Sequence, residues 1–522
     1  MLIHSTPTSA RTRSLLGAGL AAALVLSAGA VGAEGREMII ASPFGPASDV
    51  PDPRARQNGW LANRAGVSET LIGLDYEMNM IPRLAAAFEN VSETEWRITL
   101  RDDVLFHDGT PMTADAVRDS LSKLSEEGHP GHNPRLASLL GISEIEVVDD
   151  LTLIFRTETP NSAFLWSLTE PSAAVLREGT EAMPIIGTGP FVFDMAETDK
   201  TYQVTGFADY WGGAPKLDRL VIDAIVDPSV AALALQAGDV DLVTNYPEPD
   251  FAALKEEGGA QLFSTATGRL FFIQARVNDG PLANDTLREA VSLALDRDTI
   301  VAAALVGVGG QVAHGIFPDT MASWANTDLS LAYDPTAAMA MLDEAGIVDT
   351  DGNGIRELDG EDIVLQMRSY EGRPALRPTL EISQAMLTQI GLGVEIAMGE
   401  WGANNDALQA GEIDMHLQAW GTAPQGDPDY FPSTLVATGG SYNVGGYSNP
   451  ALDALLEEGR SLFETEARQP IYAEVQAILN DDLPLIPLFH KTQVSVGNGR
   501  VEGYRIHPAE TYLATPDLTV VE

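Results

Sequence analysis

Apolar residues at Trp96, Ile98 and Leu100 alternate with polar ones, a period of two that predicts a half-buried strand. Apolar runs at 39–41, 151–155, 191–193, 202–207, 220–226, 240–243, 364–367, 394–398 and 485–489 predict further strands. Helical patterning predicts helices at 60–71, 285–295, 298–306, 336–345, 380–390, 450–462 and 471–481, and Thr113 is placed to cap another. Strands and helices that alternate in this way build parallel sheets covered by helices, so the expected class is α/β.

One phrase occurs twice. ALQAGDVDL at 234–242 returns as ALQAGEIDM at 407–415, 173 residues later. Each copy reads as a helix end, a Gly suited to positive φ, and an apolar strand. Each also follows a predicted strand, so the copies predict two strand–helix–strand units and two similar α/β lobes. In open α/β sheets, ligands bind beyond the carboxyl ends of strands. The residues after each repeat strand are therefore candidate ligand walls: Thr244, Asn245 and Tyr246 in the first copy, and Gln418, Ala419, Trp420, Gly421 and Thr422 in the second. Tyr246 and Trp420 stand at matching places, and an aromatic ring beside hydrogen-bonding side chains suits a desolvating, orienting pocket. The same rings would also serve as caps on core strands.

Length and composition narrow the picture. At 522 residues the chain is too long for one hydrophobic core. Its 75 acidic residues against 31 basic ones give a net charge of −44. That field disfavours nucleic acid and anionic membranes as partners; it either attracts cations or simply keeps the surface soluble. Arg11 and Arg13, an apolar stretch at 15–26 and small residues up to Ala33 read as an export leader removed after Ala33. No later stretch is apolar for long enough to span a bilayer. The sequence contains no Cys, which excludes disulfides, thiolate metal sites and a lipid-anchor Cys. Together these features predict a soluble bacterial periplasmic protein.

The segment from Leu84 to Phe88, WRITLRDDVLFHDG at 96–109 and TADAV at 113–117 resembles the signature of the peptide/nickel class, family 5, of bacterial solute-binding proteins. These are the extracytoplasmic receptors of ABC importers. IGTGPF at 186–191, DYWG at 209–212 and REAVSLALDR at 288–297 extend the resemblance over almost the whole chain after the leader. The resemblance implies an α/β, two-lobed type II periplasmic binding protein with an additional inserted α+β domain. It places lobe one at 34–72, 186–277 and 488–522, the inserted domain at 73–185 and lobe two at 278–487. It further implies a small-molecule or peptide ligand, a membrane permease with its ATPase subunits as partners, a monomer, and no cofactor.

The resemblance also bears on the solute. In the family the segment matching 420–429 lines the cleft, and peptide receptors place an Asp a few residues after the aromatic to hold the α-ammonium. Here Pro424 stands nearest, with Asp427 and Asp429 further on. WGTAP at 420–424 is more similar to the Trp-Gly-x-Pro pattern of nickel–chelate receptors, which grip carboxylates with Arg and in some cases reach the metal with His. Arg135 is a candidate for that grip, or for a structural ion pair. His129 and His132 lie close by, but Pro130 and Gly131 between them suggest a surface loop. The family's second Arg would fall near Ser172, and the loop around Tyr442 has no His. Trp60 and Phe44 flank the loop after the first strand, as ligand contacts or as packing.

Asp349, Asp351 and Asn353 imitate the start of a calcium loop, but Gly360 stands where the closing Glu belongs, so a hairpin turn is expected. The glycines at 187 and 189 are followed by no Lys-Ser/Thr pair, and Pro190 removes an N–H, which excludes a phosphate cradle. There is no GxSxG elbow, HExxH helix or Cys nucleophile. The expected function is capture of a small peptide or peptide-like solute without chemistry. A nickel or opine-like chelate receptor is the alternative within the class. A periplasmic hydrolase or a calcium-dependent structural protein is the alternative outside it.

Overall fold

The computed structural model describes residues 35–55 and 57–521, with the backbone alone at Gln57. The expected leader lies outside the described residues.

The described residues open with β1 (Glu37–Ser42) and the helix α1 (Gln57–Arg64). The helix expected over 60–71 ends early because Gly66 turns left-handed at φ +71°. The backbone at 66–67 then receives the IGTGPF segment: the Gly189 and Phe191 N–H groups donate to the Val67 and Gly66 carbonyls at 3.2 and 2.9 Å. A Cβ at Gly187 or Gly189 would run into those carbonyls, which is what the two glycines are for. The HDG signature joins the same knot. His107 accepts from the Gly187 N–H at Nδ1 (3.2 Å) and bonds the Gly189 carbonyl through Nε2 (3.1 Å).

A separate four-stranded antiparallel sheet follows, made of β2 (Ala85–Ser92), β3 (Glu95–Leu100), β4 (Ile142–Asp149) and β5 (Thr152–Thr157) in the order β2-β3-β5-β4. Trp96, Ile98 and Leu100 face its core, as their period of two predicts, with Phe155 and Phe164 packed on Trp96 and on each other.

Three two-stranded pairs aside, the remaining strands join β1 in one eleven-stranded sheet. They are β6 (Phe191–Glu197), β7 (Thr201–Gly206), β8 (Arg219–Ala224), β9 (Leu242–Thr244), β10 (Gln261–Ala275), β11 (Gly310–Val312), β12 (Val364–Tyr370), β13 (Gly393–Gly399), β14 (Met415–Gly421) and β15 (Leu485–Gly497). The order is β13-β12-β14-β10-β15-β9-β1-β8-β7-β6, with β11 paired to β15. Two long antiparallel strands, β10 and β15, lie at the middle and run from one half to the other. The expected crossing at 485–489 is thus the first part of a 13-residue strand. The halves have separate cores, one around Leu365, Leu417 and Phe489, the other around Ile40, Tyr202 and Leu242.

The doubled phrase occupies matching places in the two halves. Helix α2 (Pro228–Ala237) ends on Gly238 at φ +81°, and helix α3 (Trp401–Ala410) ends on Gly411 at φ +77°. The strands before and after each helix are not neighbours. Each pair flanks a third strand in parallel: β8 and β9 flank β1, while β13 and β14 flank β12. The Asp shared by the copies explains part of the likeness. Asp241 accepts from the Ile39 N–H on β1 at 2.9 Å, and Asp414 accepts from the Gln366 N–H on β12 at 2.8 Å. Each phrase therefore carries its own helix stop and its own clamp on the central strand.

Candidate functional site

The carboxyl ends of β1, β8, β12, β13 and β14 converge on one cleft of about 1640 Å³. Ser42 ends β1 and Pro43 to Gly45 follow it, Ala224 ends β8 with Val226 just beyond, Tyr370 ends β12 with Arg373 just beyond, Trp401 follows β13, and Trp420 and Gly421 end β14. This is the general rule for open α/β sheets, applied in both halves.

One wall is aromatic. The Trp401, Trp420 and Tyr442 rings lie 5.1–5.7 Å apart, tilted against one another. Trp420 donates its indole N–H to Tyr430 Oη at 3.3 Å, which fixes the ring's orientation. Trp60, Phe44, Tyr76, Trp166 and Trp324 also line the cleft. Arg64 lies over the Trp60 ring at 5.8 Å, and Arg373 over Phe44 at 5.2 Å.

The polar floor is built on a break in β10. The register of β10 against β15 shifts between Ala266 and Leu270, and Ala266, Gly268 and Arg269 reach the cleft from this bulge. Arg269 grips the Glu510 carboxylate through Nε at 2.6 Å and Nη2 at 3.0 Å. Arg64 donates Nε to the Glu510 backbone carbonyl at 2.7 Å. Burial alone would push the Glu510 carboxyl up; the Arg269, Arg373 and Arg64 charges outweigh it and hold the group down at about 2. Across the cleft, Arg135 pairs with the fully buried Glu170, which also accepts from Gln425 Nε2 at 2.6 Å. Arg135 lies 5.6 Å from the Tyr430 ring centroid.

Of the residues singled out from sequence, Ala419, Trp420, Gly421, Arg135, Trp60 and Phe44 line this cleft. Thr244, Asn245, Tyr246, Gln418, Thr422 and Asp427 do not. Tyr246 is 1% exposed and packs under the first half with Ala41, Leu235 and Phe251. Asn245 is buried beside it at φ +54°, turning the chain out of the three-residue strand β9. Thr422 is buried and donates its N–H and hydroxyl to the Gly268 carbonyl at 2.8 and 3.1 Å, so it secures the bulge. Asp427 is gripped by Arg468 at 2.7 and 2.9 Å in a closed ion pair. A carboxylate committed to a buried guanidinium is not available to a ligand.

The matching of Tyr246 with Trp420 also fails by one position. At the constant spacing of 173 residues, Tyr246 corresponds to Ala419 and Trp420 to Pro247. Tyr246 and Ala419 both pack in the cores of their halves, but Ala419, on β14, also borders the cleft, whereas Tyr246 lies past the end of β9 and does not.

His132 lines the cleft, whereas His129 is turned to Glu178 at 3.7 Å. Ser172, where a second Arg was sought, is fully buried. The turn at 349–354 is held by its own carboxylates: Asp349 accepts from the Gly352 and Gly354 N–H groups at 2.7 and 2.9 Å, and Asp351 from Asn353 at 2.9 Å. Glu357, rather than Glu361, is the third carboxylate within 4.8 Å of Asp349 and Asp351. Sequence reading missed Trp401, Tyr442, Arg64, Arg269, Arg373 and Glu510. Trp401 follows a strand that was legible, so the carboxyl-end rule would have found it. Nothing local marks Arg269 or Glu510, which meet across 241 residues.

With this geometry described, comparison with known proteins is informative. Residues 79–443 match the profile of the family described as "Bacterial extracellular solute-binding proteins, family 5 Middle". The chain is 28% identical over 454 residues to "Heme-binding protein A" of Haemophilus influenzae, covering 81% of each chain. It is 29% identical over 462 residues to the "Dipeptide-binding protein" of Escherichia coli K12, covering 82% of this chain and 84% of that one. The crystal structure of Staphylococcus aureus NikA in complex with Ni(L-His)2 superposes with a TM-score of 0.83 at 20% identity, over 93% of this chain and all of that one. The fold is therefore that of the type II periplasmic binding proteins.

Proposed function

The chain belongs to family 5 of the bacterial extracellular solute-binding proteins, the receptors that capture solutes for ABC importers, and from that premise we propose that its cleft takes a small peptide or peptide-like solute. The observation that carries this reading is the aromatic wall of Trp401, Trp420 and Tyr442 in the same cleft as Arg135 and Trp60. The rings supply desolvating apolar surface and Arg135 a fixed charged donor. At about 1640 Å³ the cleft also exceeds the roughly 300–1,000 Å³ of ordinary small-molecule pockets, which suits an extended solute. Contacts from both sides favour the closed arrangement, and β10 and β15 take up the movement.

The protein binds and releases without chemistry, as a monomer that presents its solute to a permease driven by ATPase subunits. The lobe limits at 72/73, 185/186, 277/278 and 487/488 and cleavage after Ala33 belong to the same reading, and N-terminal sequencing of the exported protein tests the last of these. A second reading has its own observation: His132 and Arg135 line the cleft together, as a nickel chelate would require.

Thermal-shift screening of the mature protein separates these readings. The panel holds dipeptides, oligopeptides, opines, glutathione, and nickel with and without histidine. A solute at about 100 times its Kd adds roughly 2.7 kcal/mol of stability. A shift with peptides supports the main reading, and a shift confined to nickel with histidine supports the second. No shift with any solute, together with turnover of an ester or amide, overturns both. Trp420→Ala should weaken the best binder at least ~10-fold, the scale of a central aromatic contact.

A further inference from the structure

Helix α2 is apolar on both sides. Its inner face puts Ala231, Ala232 and Leu235 into the core beside Ala41 and Val243. Its outer face carries Val230, 51% exposed, and Leu233, 63% exposed, followed by the exposed Ala237. Val226, 49% exposed, stands just before the Asp227 cap and extends the row, so the spacings are four, three and four residues. A helix that is apolar all round is expected to be buried all round, yet α2 is covered on one side only. Among the described helices of eight or more residues it is the one without a charged side chain, in a chain that carries 75 acidic residues.

The repeated unit does not need this row. The matching positions at α3 are Gly399, Ala403, Asp406 and Ala410, and Asp406 is exposed. Both helices join the same kinds of strand and end on the same glycine stop, so folding accounts for the inner face and not for the outer one. Helix propensity does not explain Val230 either, because Val is a poorer helix former than the Ala at 403.

The surroundings narrow what covers the row. Val226 also lines the cleft, so the row begins at the cleft and runs outward along α2. Exposed Asp227 and Asp239 close its two ends. In a two-fold pair of this chain, acidic ends would meet acidic ends at a net charge of −44, which disfavours a second copy. An anionic membrane is disfavoured too: no Lys or Arg occurs from 220 to 254, and Lys200, beside Ala224, is paired with Glu197. We infer that Val226, Val230, Leu233 and Ala237 dock on the permease, against an apolar surface flanked by Lys or Arg. This rests on the receptor reading and adds a surface and its chemistry: a partner that takes the solute from the cleft has to meet the residues at its edge. The row is short, about 10 Å from Val230 to Ala237. It covers only part of the roughly 800 Å² per side of a stable complex, so the contact is transient, as release after delivery requires.

The test places the photo-crosslinker benzoylphenylalanine at position 233 of the full chain, in the bacterium that produces it. A second chain carries it at position 148, where Val148 is equally exposed at 51% on the four-stranded sheet. From 233 the captured partner should be an integral membrane subunit of an ABC permease, with a yield at least ten-fold above that from 148. Val230→Asp in the crosslinking chain should lower that yield at least ten-fold at an unchanged melting temperature, and Val230→Leu should keep it. Both side chains are exposed and outside the cleft, so neither the fold nor the solute site is touched. Crosslinks only to a second copy or to lipid, equal yields from 233 and 148, or a yield that Val230→Asp leaves intact would each overturn the docking inference. The receptor reading stands or falls separately, on the melting shift of the parent with the solute panel.

Discussion

The two copies of one phrase diverge after sharing a helix stop, a strand and an Asp clamp. After Asp241 the chain makes a strand of three residues, turns left-handed at Asn245 and enters the next helix at Glu248. After Asp414 the strand continues for seven residues, far enough to bring Trp420 to the cleft. Conserved local instructions therefore build the same supersecondary unit twice, while strand length decides which copy reaches the ligand. In the first half that role passes to β1 and β8, whose carboxyl ends supply Phe44, Ala224 and Val226.

The sharpest way to break the comparison is to truncate both aromatics. Tyr246→Ala should cost about 3–5 kcal/mol in urea unfolding, as expected for a buried aromatic, and leave solute affinity unchanged. Trp420→Ala should do the reverse, losing affinity with a small change in stability. If Tyr246→Ala weakens binding in a protein of unchanged stability, the first wall is where sequence placed it.

A smaller effect should be common to both copies. Asp241→Ala and Asp414→Ala each leave a central-strand N–H without its acceptor, at about 1–3 kcal/mol. The first should be the costlier, since Asp241 also accepts from Asn498 at 2.8 Å. Equal stability of Asp414→Ala and the parent would show that the clamp is idle in the second copy.

His416 separates the copies through pH, because Val243 occupies its counterpart. It is buried against Asn405 Oδ1 at 3.0 Å, and burial lowers its pKa to about 3. The unfolded chain takes up a proton near pH 6.5 while the folded state does not, so stability falls as pH drops below that value, until about pH 3. The slope is about 1.4 kcal/mol per pH unit, so roughly 2 kcal/mol is lost by pH 5. His107, His490 and His507 are depressed by burial as well and add to the fall, so His416→Gln should reduce the slope by about 1.4 kcal/mol per pH unit without abolishing it; an unchanged slope would assign the whole loss to the other three.

The smallest contrast concerns the helix stops. Gly238→Ala meets open space and should cost only the positive-φ penalty, about 1 kcal/mol. Gly411→Ala also meets the Arg276 guanidinium and should cost more. A melting-temperature comparison of the two variants measures the difference.

Much of this was legible because it is local. Periodicity located most strands of the two larger sheets but not Ala85–Ser92, Ile142–Asp149, Gly310–Val312 or the long β10 (Gln261–Ala275), and the paired glycines and aspartates announced two equivalent units. The signature segments HDG and IGTGPF turn out to be two sides of one knot, around His107 and the Gly66 backbone. Helix lengths were less legible where one residue decided them: Gly66 shortened α1, while the last long helix, Thr465–Asp482, runs through Pro470 rather than starting after it. Site residues were legible only where a predicted strand end coincided with a cleft-facing position, as at Trp420. Strand length decides which copy reaches the cleft, and no residue type at 244–246 reveals where the strand will stop.

By itself, the sequence determined the class of protein, the two repeated units and the rule that ligands meet strand ends, because periodicity, capping and glycine placement act over a few residues. Tertiary structure alone decided which aromatics face the solute and which carboxylates are already committed. It also brought Arg64, Arg269, Arg373 and Glu510 together across hundreds of residues. Those outcomes depend on strand length, on a bulge in β10 and on partners distant in the chain, and electrostatic balance in a shielded cleft is a property of neighbours in space.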